Sequence, residues 1–355
     1  MSIRNFKIKL EQYKNKFLNK TYTPHPRDVF FIDPTGLCNL GCRFCAYPKL
    51  ETGFSMSMDL YNKILQQALD MGFTYFFLTP MLGDAFMDKT IFEKLDILEE
   101  QSRVQKFSFY TNFVLARDIR KICSYKKIHK LEISVYGLNE KDFELVTTKD
   151  AKQFNKFLIN LRELRDIVLE DDVFNGELHF SIRTKVNKEI LSANQKTKLD
   201  IMLSQDGEVV EILNSLKEVS RISVATVTDT WLGVVKQEHV DPLGLVVEEA
   251  PPMLGPCVLI FGSIQVRYDG SVHACTRSVQ NKLQIGNINE EPLNKILSLK
   301  NPSYKSLVDS HMNNNFPAAC KECAHYRSVY RNYKSGAGTY NKRTTLQESL
   351  DFLSS

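Results

Sequence analysis

Eight cysteines stand out in this chain of 355 residues as the side chains whose type and spacing could do chemistry. Three lie together in GLCNLGCRFCAYP, where Cys38, Cys42 and Cys45 form a C-x3-C-x2-C triplet. Four lie late: Cys257 and Cys275 as C-x17-C, then Cys320 and Cys323 as C-x2-C. Thiolates are soft ligands that select iron–sulfur clusters, zinc or copper(I). A structural zinc wants four ligands, and neither a His nor a fourth Cys follows Cys45 within 15 residues. Three cysteines on one short loop suit a four-iron cluster with one iron left open, and an open iron is a place for chemistry. Zinc completed from a distance is the weaker alternative. The late four can close a cluster completely or hold zinc in a ribbon-like fold, and their chemistry does not separate the two. A β-hairpin turning at Asp269–Gly270 would bring Cys257 and Cys275 near one another. Cys123, alone in KICSYKK within an apolar-periodic helix, reads as a buried small hydrophobe.

The elements that must position these groups belong to an ordinary soluble chain. Hydrophobic residues make up 43% and charged residues 25%, which excludes disorder and a purely structural coiled coil. A formal charge of +4 is too small to argue for nucleic acid as the main partner. No apolar run approaches the roughly 18 residues of a membrane span. The start, MSIRNFKIKLEQYKNKFLNK, alternates apolar residues with lysines and reads as a basic amphipathic helix. The default expectation packs it on the body with its lysines in water, and a membrane-surface helix is the alternative. With no export signal, the expected location is the reducing cytoplasm, where clustered cysteines mean metal or catalysis before disulfides.

Six apolar runs alternate with helical periodicity over residues 29–229: VFFIDP, TYFFLTP, KFSFYTN, HKLEISVYG, ELHFSIRTKVN and RISVATVTD. That alternation predicts a parallel sheet in an α/β fold. Helices are expected over residues 56–72, 88–101, 114–127 and 151–170, with a weaker one in 194–218. Strand parity adds an independent signal. One face carries Phe107 and Phe109, Leu131 and Ile133, Leu178 and Phe180, Ile222 and Val224. The other carries Ser108, Tyr110 and Asn112; Glu132, Ser134 and Tyr136; His179, Ser181 and Arg183; Arg221, Ser223 and Asp229. Parallel strands covered on both sides read as continuous apolar runs. A polar face recurring on four strands therefore implies helices on one side and a ligand cavity on the other.

The triplet CNLGCRFC, directly after an apolar first strand, resembles the radical S-adenosylmethionine (SAM) superfamily. The resemblance implies a partial (β/α)6 TIM-like barrel, with Cys38, Cys42 and Cys45 holding a [4Fe–4S] cluster whose open iron is chelated by SAM. It places Phe44 near the adenine. In LTPMLGDAF, Leu82, Gly83, Asp84 and Ala85 occupy the places of the family's Gly-Gly-Glu-Pro-like turn for the SAM ammonium. Only Gly83 and an acidic side chain survive there, so Asp84 and the backbone both stay open as the ammonium partner. Asn112, Ser134 and Arg183 lie where the family contacts the ribose and methionine carboxylate.

The late segment is similar to the SPASM and shorter twitch domains, small cysteine-rich modules with a β-hairpin that carry auxiliary [4Fe–4S] clusters. No cysteine follows Cys323, which fits the one-cluster twitch form. The spacing is similar to that of the aminocyclitol dehydrogenase acting on 2-deoxy-scyllo-inosamine. The expected organisation is an N-terminal helix over 1–27, a barrel over 28–235, a linker over 236–256, the cluster domain over 257–325 and a tail over 326–355. The tail's Tyr/Arg run, YRSVYRNYKSGAG, is expected to pack or to fold over the cavity.

The resemblance implies reductive cleavage of SAM to a 5′-deoxyadenosyl radical, which takes a hydrogen atom from substrate. It further implies a net oxidation with the auxiliary cluster as electron acceptor. Arg183, His179, Tyr136 and Asp229 are the candidates to assist deprotonation. The expected substrate is a small polar molecule such as a sugar or aminocyclitol, because too few residues precede the first strand for a peptide-recognition domain. A peptide maturase forming thioethers or epimers is the alternative, and a non-catalytic zinc scaffold a distant third. A flavodoxin- or ferredoxin-type protein is the expected electron donor.

Overall fold

The computed structural model describes residues 3–50, 53–79, 81–170, 174–333 and 343–355. Its centre is a nine-stranded sheet. Six parallel strands follow one another in space as in sequence: β1 (Phe30–Ile32), β2 (Tyr75–Leu78), β3 (Lys106–Thr111), β4 (Ile128–Val135), β5 (Glu177–Ile182) and β6 (Arg221–Val224). This is the partial-barrel half of the expected α/β fold. The registers pair like with like: Ile133 lies opposite Phe180, and Ser134 opposite Ser181. Each strand consequently presents its apolar residues to one side together.

The helices on that side are α2 (Met58–Asp70), α3 (Ile91–Glu100), α4 (Ile119–Ser124), α5 (Glu140–Thr147), α6 (Ala151–Glu170) and α7 (Glu208–Ser215). Three of them begin at a polar side chain that accepts from a free N–H group, Ser57 from Leu60, Asp118 from Lys121 and Asn139 from Asp142. Their apolar faces, including Ile64, Leu95, Ile122, Leu161 and Leu213, are buried against Phe107, Phe109, Leu131, Ile133 and Phe180. Cys123 is fully buried in this core. Sequence periodicity missed α5, a two-turn helix between β4 and α6.

The late hairpin does not stand apart from the barrel. Its strands, β7 (Gln265–Val266) and β8 (Ser271–His273), are followed by β9 (Gln284–Asn287), and β7 runs parallel to β1 at the sheet edge. The Phe31 N–H donates to Ile264 O at 3.1 Å and the Asp33 N–H to Val266 O at 2.9 Å. A sheet of six strands thus becomes one of nine. Gly270, at φ 85°, supplies the positive-φ turn position that the Asp269–Gly270 hairpin requires.

Residues 236–256, read as a linker, carry secondary structure and pack on the barrel. Val240, Leu243 and Leu245 are buried, and Val246–Val247 pairs with Val227–Thr228. The chain ends also meet, with Thr23–Pro24 paired antiparallel to Arg343–Thr344. The N-terminal helix α1 (Ile3–Phe17) packs through Ile8 and Gln12 with its lysines exposed, and Asn15 hydrogen-bonds Tyr330 O at 2.8 Å. Phe6, Leu10, Tyr13 and Phe17 also face outward, so its apolar residues are divided between two faces. The segment 334–342, including KSGAG of the tail motif, lies outside the described residues. Among the described residues no helix is long and apolar enough to cross a membrane.

Candidate active site

The first three cysteines sit on the loop that leaves β1, and backbone bonds tie that loop to the end of α5. The Gly41 N–H donates to Thr147 O at 3.0 Å, the Arg43 N–H to Val146 O at 3.0 Å, and Arg43 Nε to Leu145 O at 2.8 Å. The approach at Gly41 is close enough that a Cβ would meet Thr148 Oγ1 at 2.6 Å. The helix that sequence reading missed is thus what fixes the shape of the cysteine loop. Backbone N–H groups two residues on point at two of the sulfurs: Leu40 at Cys38 Sγ, 3.5 Å, and Tyr47 at Cys45 Sγ, 3.4 Å.

Burial pushes all three thiols up, Cys38 to about 12, and Cys42 is raised further by Cys45 and Cys38 beside it. Thiolates packed this closely would repel one another, so without metal the three keep their protons; iron would supply the positive charge that thiolates need here, beside the sulfur-directed N–H groups. The donor set fits an iron–sulfur cluster with three protein ligands.

The late cysteines converge from three segments. All four are buried, and Cys275 is pushed well up by burial and by Cys323, Cys257 and Cys320. The N–H groups of Arg277 and Arg327 point at Cys275 Sγ and Cys257 Sγ, each at 3.4 Å. Cys257 is itself held by a β-bridge to Ser328. Four thiols in this setting fit a fully ligated cluster.

One cavity of about 530 Å³ lies between the two sets. Cys38, Cys42 and Cys45 line one side of it, and Arg277, His325 and Arg327, each two to four residues from a late cysteine or paired to one, line the other. The barrel's polar strand faces supply the wall between, through Tyr110, Asn112, Glu132, Ser134, Tyr136 and Arg183. Phe44 also lines it, with Tyr136 5.4 Å away and the Arg183 guanidinium 5.9 Å from its ring.

Gly83 and Asp84 reach the cavity, but the Asp84 carboxylate is committed to the protein. It accepts from the Phe86 N–H at 3.0 Å, Thr111 Oγ1 at 3.0 Å and the Asn112 N–H at 2.6 Å. Its role here is to lock the turn after β2 to the end of β3, leaving the backbone of the turn for a ligand cation. Asn112 is likewise engaged, donating to Asn39 Oδ1 at 2.8 Å and accepting from the Val114 N–H at 3.0 Å. Ser134 hydrogen-bonds Tyr136, whose hydroxyl is held protonated by burial.

Of the four groups expected to assist proton transfer, Arg183 and Tyr136 are on the cavity wall, while His179 and Asp229 stand behind it. His179 lies between Glu132 (Nδ1 to Oε2, 3.1 Å) and Ser223 (Nε2 to Oγ, 2.9 Å). Burial opposes charge on Glu132, yet His179 and Lys130, the latter at 2.7 Å, overcome it and hold its carboxyl down at about 2. Asp229 is buried behind Arg277 and His325, at 3.9 and 3.5 Å. His325 is held neutral, down at about 2, by the Arg277 guanidinium first, then by burial, Arg327 and Arg183.

Glu132, Arg277, His325 and Arg327 were not among the sequence candidates. Parity had put Glu132 on the polar face. The other three lie two to four residues from cysteines, but nothing in their spacing shows which way they point.

A radical SAM superfamily model matches residues 32–178, and a SPASM iron–sulfur cluster-binding domain model matches residues 257–324. No curated protein sequence matches the chain. Among solved structures, BtrN in complex with AdoMet and 2-DOIA is similar over 89% of this chain and 98% of its own, at 13% identity and TM-score 0.54. Streptococcus suis SuiB bound to precursor peptide SuiA is similar over 90% of this chain and 75% of its own, at 15% identity and TM-score 0.56. A third, anSMEcpe with bound AdoMet, shows 15% identity and TM-score 0.50, covering 85% of this chain and 89% of its own. At these identities the likeness is one of fold.

Proposed function

The chain belongs to the radical SAM superfamily, with a C-terminal SPASM-type iron–sulfur domain, and from that premise we propose that it oxidises a small polar molecule, a sugar or aminocyclitol, by removing a hydrogen atom. The observation that carries the reading is a cavity lined by Cys38, Cys42 and Cys45 on one side and by Arg277, His325 and Arg327, chain neighbours of the late cysteines, on the other. The bound clusters and SAM supply the one-electron reductive cleavage of SAM at Cys38, Cys42 and Cys45, and an acceptor at the late cysteines for the electron that an oxidation releases.

The chain's own residues bind and orient. Glu132 is too weak a base at about 2 to take a proton at neutral pH, but as a buried carboxylate it accepts hydrogen bonds from substrate hydroxyl or amino groups. Behind it, His179 and Lys130 fix its orientation. The phenol of Tyr110, held protonated by burial, offers a donor across the same space. Phe44 and Tyr136, their rings tilted 55° to one another, give an aromatic wall beside the cysteine loop, which suits an adenine and keeps water from the reacting bond. A polar, bounded cavity supports a small molecule, as in the BtrN complex with 2-DOIA. The electron enters from a flavodoxin or ferredoxin in a reducing cytoplasm.

The test is anaerobic reconstitution of wild type beside Cys257→Ala/Cys275→Ala, with iron, zinc, 5′-deoxyadenosine and product measured against a panel of aminocyclitols and sugars. Wild type is expected to hold about eight irons and the variant about four. Both should release 5′-deoxyadenosine, and only wild type should form oxidised product. About four irons with one zinc in wild type would end the acceptor role. Turnover of a peptide but of no small molecule would overturn the substrate class.

A further inference from the structure

We propose that the cavity wall formed by Arg277 and Arg327 beside His325 is a subsite for an anionic group, a phosphate or carboxylate, carried by the substrate. The inference rests on the reading that substrate occupies this cavity, and adds its charge.

This wall carries more positive than negative charge. Three guanidinium groups, of Arg183, Arg277 and Arg327, border the cavity. The nearby carboxylates offset them only in part. Glu132 is bound to Lys130 and His179, and Asp84 to Thr111 and two backbone N–H groups. Asp229 stands 3.9 Å from Arg277, beyond a hydrogen bond, and its Oδ2 has no hydrogen-bond partner among the described residues. Arg183 sits beside Phe44, on the cysteine-loop side where the methionine carboxylate of SAM is expected. That leaves Arg277 and Arg327 for another anion.

Their setting is that of a prepared binding pair. The Arg277 guanidinium lies 5.5 Å from the Trp231 ring and that of Arg327 5.6 Å from the Tyr333 ring. An aromatic neighbour holds a guanidinium in place while leaving its N–H edge for a bidentate oxyanion. Among the described residues, neither side chain donates a hydrogen bond to the protein. Arg277 shares the cavity with Arg183 and the Tyr110 phenol of the barrel wall. An anion held here would lie between the cysteine sets, with the rest of the molecule directed towards Glu132. Both side chains are half-buried, and Asp229 at 3.9 Å offsets the charge of Arg277 only in part, so a bound phosphate or carboxylate would take up N–H groups that the protein leaves unmatched.

The experiment is calorimetric titration of the reconstituted, SAM-saturated protein at constant ionic strength with glucose 6-phosphate, glucuronate and glucose. A charged probe should bind saturably and at least about tenfold more tightly than glucose. The tighter of phosphate and carboxylate identifies the anion. Arg277→Gln/Arg327→Gln should erase the preference, while Arg103→Gln, altering an exposed pair with Asp70 on the far surface, should keep it. If the double variant fails to assemble, Arg277→Lys/Arg327→Lys keeps the charge without the fork and should retain only part of the preference. Equal binding of charged and neutral probes by wild type, or an undiminished preference in an assembled Gln variant, would overturn the subsite. Assaying 5′-deoxyadenosine on the same samples separates the two claims. Its formation without anion preference sinks the subsite alone, and anion preference without its formation sinks the catalytic reading.

Discussion

The two cysteine sets are built in opposite ways. Cys38, Cys42 and Cys45 share one loop, and that loop is held by hydrogen bonds to α5 and by its exit from a strand buried in the main sheet. Cys257, Cys275, Cys320 and Cys323 come from three segments joined by short strands, short helices and the bridge from Cys257 to Ser328. In the first region the fold positions the ligands. In the second the ligands, once joined by a cluster, position the fold. A site meant to keep an iron open to chemistry gains from a frame that stands without it. A site whose cluster is fully ligated can use the cluster as a staple.

The sharpest way to break this contrast is to remove one ligand from the first set. Cys42→Ala is expected to abolish 5′-deoxyadenosine formation completely and to lower iron from about eight to about four. The remaining iron should stay in the C-terminal domain, with a spectrum insensitive to added SAM. If Cys42→Ala loses all its iron, the two sets depend on one another and the contrast fails.

Removing both clusters sharpens it from the other side. Hydrogen exchange on the chelated protein is expected to leave β2 to β5 protected while amides over 257–329 lose protection by about two orders of magnitude or more. The barrel strands lie in a deep aromatic and aliphatic core, including Phe76, Phe107, Phe109 and Phe180, which the late segment joins from one edge through Phe261, Val266 and Tyr304. Uniform loss in both regions would show that the first cluster also holds its frame.

The same contrast explains what could be read from sequence. The triplet was legible because its ligands are neighbours in the chain, and the barrel because alternating apolar and polar residues encode both its faces. Glu132, Ser134 and Tyr136 were already on the polar face by parity, and all three reach the cavity. The strap from α5 to the cysteine loop was not legible, since a two-turn helix carries too short a pattern. Nor was the commitment of Asp84 to Thr111 and Asn112, which depends on how two strand ends meet. Arg277 and Arg327 reach the cavity only because the hairpin joins β1 edge-on, a tertiary fact with no local signature.

The smallest expected effect lies at the seam between the regions. Asp33, the residue directly after β1, accepts from the Met81 N–H at 2.7 Å and from Gln265 Nε2 at 2.6 Å, with Arg267 at 3.7 Å. It thereby joins the cysteine loop, the turn after β2 and the late hairpin. Burial raises its carboxyl to about 7, against the pull of Arg267 and these hydrogen bonds. In the unfolded chain the same group titrates near 3.9. Between those values the folded state keeps a proton that the unfolded state has lost. Stability from this group is therefore full below about pH 4, falls by at most about 1.4 kcal/mol per pH unit up to about 7, and is level above. Asp33→Asn keeps the acceptor and removes the titration. The melting midpoint of the variant should gain progressively on that of wild type between pH 5 and pH 8, by a few degrees in all. Parallel pH profiles for the two proteins would mean that Asp33 stays ionised and that the seam is a salt bridge to Arg267.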